Sequence, residues 1–317
     1  MNAIARPDWI AVDWGTTHMR AYAIGGDGAV LSRAEGPGMG ALADTERKSE
    51  AFEAALLGAC SDWLSGSAVP VVMCGMVGSR QGWAEAGYRP LPASLDTLGD
   101  EVTQVPVRDG RLLAYIVPGL SQNDPYDVMR GEETQLAGWV HAHDHDHETA
   151  SPPRICMPGT HSKWVHLDGR RVRHFSTAMT GELFDLIGHH SILAHSLVGD
   201  GFDAEAFGDA VRSAHESPAC LTEALFSIRA EGLLIGADPA RARARLSGLL
   251  IGAELAGARL ESGERVVLVG APRLCARYAQ ALSILGHDAV IADGEAMVLA
   301  GLTAIHAQLT AQRETVS

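Results

Sequence analysis

The sequence predicts an α/β protein of two similar lobes around a central cleft. A pattern of strand, glycine–threonine loop, strand, tight turn and strand occurs in residues 9–33 and again in residues 154–177. Elsewhere, apolar runs that end near glycine alternate with helical patterns, which is typical of parallel strands covered by helices. An internal repeat of this kind indicates two domains of one type, each with a hairpin directed at a shared cleft.

Composition and charge narrow the class of protein. The 317 residues are 46% hydrophobic, which is enough for folded cores, and carry a net charge of −14. We therefore expect no nucleic-acid partner and no anionic membrane partner, since phosphate neutralisation needs clustered lysine and arginine. Five widely spaced cysteines favour reduced thiols. The sequence shows no signal peptide and no apolar run of membrane-spanning length, which predicts a cytoplasmic location.

The first half of the chain is predicted to be a strand meander followed by helices and buried strands. Two strands flank the first glycine–threonine loop, and residues 29–35 form a third strand after a tight turn. Apolar residues at helical spacing predict a helix over 44–64. Continuous apolar runs predict buried strands over 69–79 and 112–120. A helix is expected from Glu132, with carboxylates in its first turn.

Residues 143–153 are the best linker candidate, because they are polar and end in two prolines. They divide the chain into predicted domains of residues 1–148 and 149–317. Histidines alternate with aspartates and an alanine over 141–147, so a metal site is one interpretation. We favour a solvated acidic linker.

The second half continues after its hairpin with helices and strands. Helical patterns cover residues 222–236 and 244–260. Residues 265–282 are predicted to form a buried strand, a glycine turn and a helix, and the same order recurs from residue 288, with the last helix from about Ala296. This alternation favours a second sheet covered by helices.

The first loop has the residue types that suit a phosphate group. Gly15, Thr16 and Thr17 offer backbone N–H groups and hydroxyls, and Arg20 offers positive charge. Asp13, at the end of a strand, can hold a hydrated Mg²⁺ that bridges phosphates. The alternative is an ordinary hairpin turn.

The second loop repeats the pattern in Gly159, Thr160 and His161, and the two loops are expected to grip one polyphosphate. There is no P-loop and no nucleophile elbow. The segment 36–41, GPGMGA, fits a weak dinucleotide signal, so a Rossmann dehydrogenase is an alternative. We favour a glycine-rich surface loop.

Seven ordered blocks of the chain resemble one known family. They are DWGTTHMRAY, VVMCGMVGSRQGW, VMRGEETQLAGW, MPGTHSKWV, TAMTGEL, SGLLIGAEL and ARYAQAL. Together they resemble 2-dehydro-3-deoxygalactonokinases, within the sugar-kinase, heat-shock-70 and actin superfamily. The resemblance implies two actin-like ATPase lobes of the ribonuclease H-like type, with the last helix packed on the first lobe. It also implies phosphorylation of the 6-hydroxyl of 2-dehydro-3-deoxy-D-galactonate by ATP with Mg²⁺, in galactonate catabolism.

The resemblance implies roles for individual residues. Asp13 would be linked to Mg²⁺. The residues expected at the nucleotide are Gly15, Thr16, Thr17, Arg20, Gly159, Thr160, His161, Gly270 and Ala271. The last two match the adenosine loop, although GAP replaces a more glycine-rich run.

The catalytic base is expected at Glu132, with Glu133 as the alternative. Related sugar kinases carry a carboxylate after glycine at the start of this helix, usually an aspartate. A carboxylate within hydrogen-bond reach can orient the attacking hydroxyl and take its proton. The alternative is that both glutamates only stabilise the helix dipole.

The acceptor is expected to contact Ser79, Arg80 and Gln81, which follow a buried strand. Arg80 or Arg130 is expected to pair with its carboxylate, although either could be a surface ion pair. Glu182 either faces the cleft or belongs to a helix N-terminus.

Two other functions stay open at this level. The chain could phosphorylate a different sugar or sugar acid, including the gluconate-derived epimer, or it could be a non-catalytic nucleotide-binding regulator of the same fold. The sequence determines neither the stereochemistry of the acceptor nor the oligomeric state, and it is compatible with a homo-oligomer.

Overall fold

The computed structural model describes residues 6–143, 153–199, 201–236 and 238–316. Its residue contacts divide the chain into two compact units. The first unit contains residues 1–150, 168–174 and 295–317, and the second contains residues 151–167 and 175–294.

The first unit is built on a six-stranded sheet in the order β3-β2-β1-β4-β8-β7. Strands β1, β2 and β3 form an antiparallel meander, and β4 and β8 continue the sheet parallel to β1. A second, three-stranded sheet has the order β10-β9-β5. The elements of the first unit are β1 (Trp9–Trp14), β2 (His18–Ile24), β3 (Val30–Pro37), α1 (Lys48–Cys60), β4 (Val69–Cys74), β5 (Tyr88–Pro90), β6 (Ala93–Ser94), β7 (Thr103–Val105), β8 (Leu112–Ile116), β9 (Gly119–Asn123), β10 (Tyr126–Met129), α2 (Glu132–Ala142) and α8 (Gly294–Val316).

The second unit has a sheet in the order β13-β12-β11-β14-β15. Strand β12 is antiparallel to β11, whereas β14 and β15 follow in parallel. Its elements are β11 (Arg154–Met157), β12 (Ser162–Asp168), β13 (Arg171–Ala178), α3 (Thr180–His190), α4 (Ala204–Glu216), α5 (Leu221–Ile235), α6 (Pro239–Ala258), β14 (Val266–Gly270), α7 (Pro272–Ile284) and β15 (Ala289–Asp293). The start of β13 groups with the first unit, where it pairs with β6.

Both sheets share one strand order, because each has three meander strands followed by two parallel strands. This is the ribonuclease H-like order of actin-like ATPase lobes, so the predicted α/β fold class is confirmed. The repeat read from the sequence therefore corresponds to a repeat of strand topology. The division into residues 1–148 and 149–317 stays a prediction, since its boundary lies outside the described residues.

Several predicted boundaries were wrong. The helix expected over 44–64 is shorter, because its last turn narrows into a 3₁₀ helix after Cys60. The strand expected over 69–79 ends at Cys74, where Gly75 has a φ of 92°. The strand expected over 112–120 is two strands, β8 and β9, separated at Val117 and Pro118. Proline has no N–H for a ladder hydrogen bond, which accounts for the break.

The core of the first unit lies against the meander, with Trp14 and Phe52 fully buried among aliphatic side chains. Helix α8 packs within this unit, where His306 stacks on Trp9 with ring centroids 4.4 Å apart. It crosses α2 at two glycines, since a Cβ on Gly138 or Gly301 would clash with the opposite backbone. This close crossing fixes the position of α2, whose first turn carries the predicted base.

Three other predictions concern single features of the chain. No helix in the described part has both the length and the hydropathy needed to cross a membrane. All five cysteines are free, and all but Cys220 are buried. Residues 144–147 of the predicted histidine–aspartate metal site lie outside the described residues.

Candidate active site

The first glycine–threonine loop is held from behind by the glycine-rich segment 38–40. The N–H groups of residues 38, 39 and 40 donate to the carbonyls of Thr17, Gly15 and Thr16 at 2.9–3.1 Å. The N–H groups of Thr16 and Thr17 themselves donate to no group in the described ranges, and both residues are exposed. With its carbonyls fixed and its N–H groups available, this loop suits an anionic ligand. The GPGMGA segment thus supports the loop.

We predict that Gly38→Ala weakens phosphate binding at this loop. A Cβ on Gly38 would clash with the backbone of Thr16 and Thr17, so the loop must shift. For ATP, the ligand that the family resemblance implies, we expect KM to rise by about tenfold or more, since a shift of one ångström can cost about 100-fold. Gly58→Ala, on an open face of α1, is the matched control and should leave KM unchanged. Steady-state kinetics at varied ATP would check this, and an unaltered KM in the Gly38 variant would contradict the supporting role.

Asp13 lies at the end of β1, opposite Arg20 of β2. Arg20 Nη1 and Asp13 Oδ2 form an ion pair at 3.5 Å. The Asp13 side chain is 28% exposed. Burial raises the pKa of Asp13 above its ordinary value and Glu295 adds to the rise, whereas Arg20 opposes it. Mg²⁺ usually takes one or two carboxylates together with phosphate oxygens and water. A single accessible carboxylate fits that mode, and no group of three or more metal-binding side chains occurs in the described part.

Two glycines bring Asp13 and the start of α2 together within the first unit. Gly75 follows β4, and a Cβ on it would lie 2.9 Å from the Trp14 carbonyl oxygen and 3.7 Å from Asp13 Oδ1. A Cβ on Gly131, which precedes α2, would lie 3.3 Å from the Cα of Gly75. Both have positive φ values, 92° and 104°, which favour glycine. Asp13 and the residue before α2 therefore lie against the same glycine within the first unit.

The two glutamates at the start of α2 have different surroundings. Glu132 is half-buried, and its Oε2 accepts the N–H of Arg130 at 2.9 Å. Glu133 is fully buried and accepts the N–H of Gly131 at 2.7 Å and the hydroxyl of Thr134 at 3.0 Å. Burial, and then the charge of Glu132, raise the pKa of Glu133 to about 8. Glu132 keeps part of its surface exposed, whereas Glu133 has none, so this geometry favours Glu132 over Glu133 as the base.

The predicted acceptor residues fall into exposed and buried groups. Arg80 and Gln81 are exposed, and Arg80 pairs with Glu85 at 3.7 Å. Ser79 and Arg130 are buried, and Ser79 Oγ and Arg130 Nε and Nη1 have no hydrogen-bond partner among the described atoms.

Arg130 is held at its other end. Its Nη2 donates to the carbonyl of Ala86 at 2.6 Å, and its guanidinium lies 4.2 Å from the ring centre of Tyr88. The buried guanidinium therefore braces residues 86–88 and has no carboxylate partner in the described part of the chain.

The second glycine–threonine loop, in the other unit, is also closed from behind. Gly181, in the first turn of α3, packs so tightly that a Cβ there would clash with the backbone of Gly159 and Thr160. The N–H of Glu182 donates to the carbonyl of Thr160 at 2.9 Å, and its carboxylate contacts His161 Nε2 at 2.5 Å. The structure thus places Glu182 in the first turn of α3, in contact with the second loop, and its role at the acceptor stays a prediction.

A cavity of about 320 Å³ adjoins this loop within the second unit. It is lined by Gly159, Thr180, Gly181, Phe184, Ser247, Leu250, Ile251, Ala271, Arg273, Leu274, Arg277 and Tyr278. Gly270 is adjacent, since a Cβ there would lie 3.2 Å from the Pro158 carbonyl. The predicted second loop and the predicted adenosine loop therefore meet at one mostly apolar cavity with a few polar groups, as expected of a nucleoside site.

Comparison with known proteins decides the family. The family model described as 2-keto-3-deoxy-galactonokinase matches residues 13–305. The chain belongs to the 2-keto-3-deoxy-galactonokinase family. It is 46% identical to "Probable 2-dehydro-3-deoxygalactonokinase DgoK1" of Rhizobium meliloti, over 93% of this chain and 95% of that protein. It is 38% identical to the 2-dehydro-3-deoxygalactonokinase of Escherichia coli, over 94% of this chain and 97% of that protein.

One solved structure has the same fold as this chain. The crystal structure of a Sinorhizobium meliloti protein described as a 2-dehydro-3-deoxygalactonokinase matches with a TM-score of 0.82 at 44% identity. The match covers 94% of this chain and 97% of that one. The predicted family resemblance is confirmed.

Sequence reasoning missed several residues of this galactonokinase-family site. Gly38 and Gly75 lie in segments noted for other reasons, and their contacts with the predicted residues form only in the folded chain. One signal was available. Glu254 is a single acid within the apolar run LLIGAELAGA of α6, and a charge on a buried helix face is rare unless it is paired.

Proposed function

We propose that this galactonokinase-family protein transfers the γ-phosphoryl group of ATP to the 6-hydroxyl of 2-dehydro-3-deoxy-D-galactonate, as a step of galactonate catabolism. Relatives named for this activity align over more than nine-tenths of the chain. The observation that carries the chemistry is that Asp13 and Gly131, the residue before Glu132, both lie against Gly75 in one unit. It supports one carboxylate beside the phosphates and another beside the attacking hydroxyl.

Each unit carries one phosphate-binding loop in this proposal. Gly15, Thr16, Thr17 and Arg20 bind phosphate in the first, and Gly159, Thr160 and His161 do so in the second. Free N–H groups in the first loop support this role. The cavity next to Gly270 and Ala271 takes the nucleoside, and its volume and apolar lining suit an adenine ring.

Asp13 is the residue that would hold Mg²⁺. The bound ion would neutralise charge on the β- and γ-phosphates. The partial exposure of Asp13 and its place beside the first loop support this assignment. Arg20, 3.5 Å away, opposes the rise in the pKa of Asp13 that burial causes, and so favours the ionised carboxylate.

Glu132 orients the acceptor in the transfer step. Its carboxylate accepts a hydrogen bond from the 6-hydroxyl and takes the proton as the new O–P bond forms and the bond to ADP breaks. The products are ADP and the 6-phosphate ester, and the proton leaves Glu132 to water. Positioning contributes most of the rate, because this chemistry needs little deprotonation before attack.

The acceptor is bound near Ser79, Arg80 and Gln81. Arg130 is the better partner for its carboxylate, since Arg80 is exposed and already pairs with Glu85. A buried guanidinium without a counter-charge is costly, and a bound carboxylate would offset that cost. The cytoplasmic location and any homo-oligomer stay predictions.

A coupled assay of ADP release across 2-keto-3-deoxy sugar acids tests the proposal. We expect the galacto acid to give the highest kcat/KM and Asp13→Asn to lower it while the fold is kept. Preference for the gluconate-derived epimer would reassign the substrate. Slow ATP turnover that no sugar acid accelerates would instead indicate a nucleotide-binding regulator.

A further inference from the structure

A buried carboxylate in the second unit is not used by any step described so far. Glu254 lies in the middle of α6 and is only 9% exposed, with Leu250, Ile251 and Leu255 around it on the same helix. No ion pair with Glu254 occurs in the described part of the chain. Burial raises the pKa of its carboxyl group above the ordinary value.

Neutral donors from three different elements converge on this carboxylate. Trp164 of β12 donates its indole N–H to Oε1 at 2.8 Å. Tyr278 of α7 donates its hydroxyl to Oε2 at 2.7 Å, and Thr180 at the start of α3 donates to the same oxygen. Ser162 extends the network, since its hydroxyl lies 2.8 Å from that of Tyr278. One side chain of α6 therefore ties β12, α3 and α7 together.

Joining these elements through a buried carboxylate costs free energy of desolvation. An apolar residue at the same position would avoid the loss of hydration that a buried charge suffers. Fully hydrogen-bonded polar networks do, however, fix side chains in one arrangement more strictly than apolar contacts do. The presence of Glu254 is therefore best explained by a function that requires the side chains of this network to hold exact positions.

The network ends at the cavity and at the second loop. Thr180 and Tyr278 line the cavity, whereas Glu254 itself does not. Ser162 immediately follows the loop residues 159–161. Glu254 thus fixes two side chains of the cavity wall and the strand that begins where the loop ends.

We infer that Glu254 is a positioning residue for nucleotide binding, which acts through Thr180, Tyr278 and Ser162 to hold the cavity wall and the second loop in their binding arrangement. The inference rests on the proposed function only in taking the cavity as the nucleoside site.

The test is Glu254→Gln, which keeps the shape of the side chain but replaces one acceptor oxygen with an NH₂ group. The indole of Trp164 can only donate, so the amide nitrogen must face Thr180 and Tyr278 and both hydroxyls must turn. We expect the Kd for ADP by calorimetry and the KM for ATP to rise about tenfold, with the KM for the sugar acid unchanged.

Glu231→Gln is the matched control, because Glu231 is also a largely buried carboxylate of the second unit. It pairs with Arg241 and Arg245, and none of these three lines the cavity. This variant should lower the melting temperature without changing the Kd for ADP. Tyr278→Phe should weaken ADP binding as Glu254→Gln does, and the double variant should lose little more than the larger single effect.

The outcomes separate this inference from the proposed function. If wild type shows no ADP binding and no sugar-acid kinase activity, the proposed function fails. If wild type is active but Glu254→Gln loses only thermal stability and keeps its Kd for ADP, Glu254 has a structural role and the inference is overturned. Additive effects in the double variant would likewise overturn it, since they would mean that the two residues act separately.

Discussion

Glu132→Gln is expected to lower kcat by about 10² to 10⁴-fold, the range typical of a lost general base. The amide oxygen can still accept the N–H of Arg130, as Glu132 Oε2 does at 2.9 Å, so the start of α2 should stay intact. What the variant loses is an acceptor for the proton of the 6-hydroxyl. The KM for ATP should change little, because the phosphate loops and the cavity are untouched. Steady-state kinetics of ADP release at saturating sugar acid and ATP measures this.

The matched control for this variant is Glu46→Gln, an exposed carboxylate of the same unit. It should keep wild-type kcat, and this result would exclude the loss of one negative charge from this unit as the cause of the lower kcat. Full turnover by Glu132→Gln would remove Glu132 from the mechanism and leave family membership intact. A rise in KM for the sugar acid with unchanged kcat would mean that Glu132 binds the acceptor without taking its proton.

The sequence was sufficient for the antiparallel hairpins of both halves because a hairpin is a local feature. Gly15, Thr16 and Thr17 are consecutive, and the hairpin around them repeats in the second half. The same reasoning joined β8 and β9 into one strand, although Pro118 was visible in the sequence and should have separated them.

The remaining site residues depend on contacts between distant parts of the chain. Gly38 meets Thr16 and Thr17 only after β2 and β3 have paired. Glu254 contacts Trp164 across 90 residues of sequence. No periodicity or motif encodes such pairs, because many helix faces could present an acid at that position. The contact is decided by how α6 packs on the sheet.

Burial also explains why the sequence left Glu132 and Glu133 as alternatives. Both follow Gly131, both are acidic, and both lie in the first turn of α2. Their difference arises only in the folded chain, where Glu133 is fully buried near Cys74 of β4 and Glu132 is half-buried. Glu133 lies on the buried face, so its carboxyl group meets the protein interior.

The second large effect concerns that buried carboxyl group and the pH dependence of stability. The pKa of Glu133 is raised from 4.5 to about 8 in the folded chain. Between these values the native state holds a proton that the unfolded state releases, so the free energy of unfolding falls as pH rises. Between pH 4.5 and pH 8 the free energy of unfolding falls by roughly 5 kcal/mol, at about 1.4 kcal/mol for each pKa unit. Below pH 4.5 and above pH 8 this group adds no further slope.

Glu133→Gln should remove this loss, because the amide stays neutral at every pH. Its oxygen can accept the N–H of Gly131 as Glu133 does at 2.7 Å. Urea unfolding at pH 5, 6, 7 and 8 should therefore show the variant gaining stability over wild type as pH rises. Glu46→Gln, at an exposed position, should follow wild type throughout. Parallel curves for wild type and Glu133→Gln would mean that Glu133 is ionised in the folded protein, and its charge would then be available to the site beside Glu132.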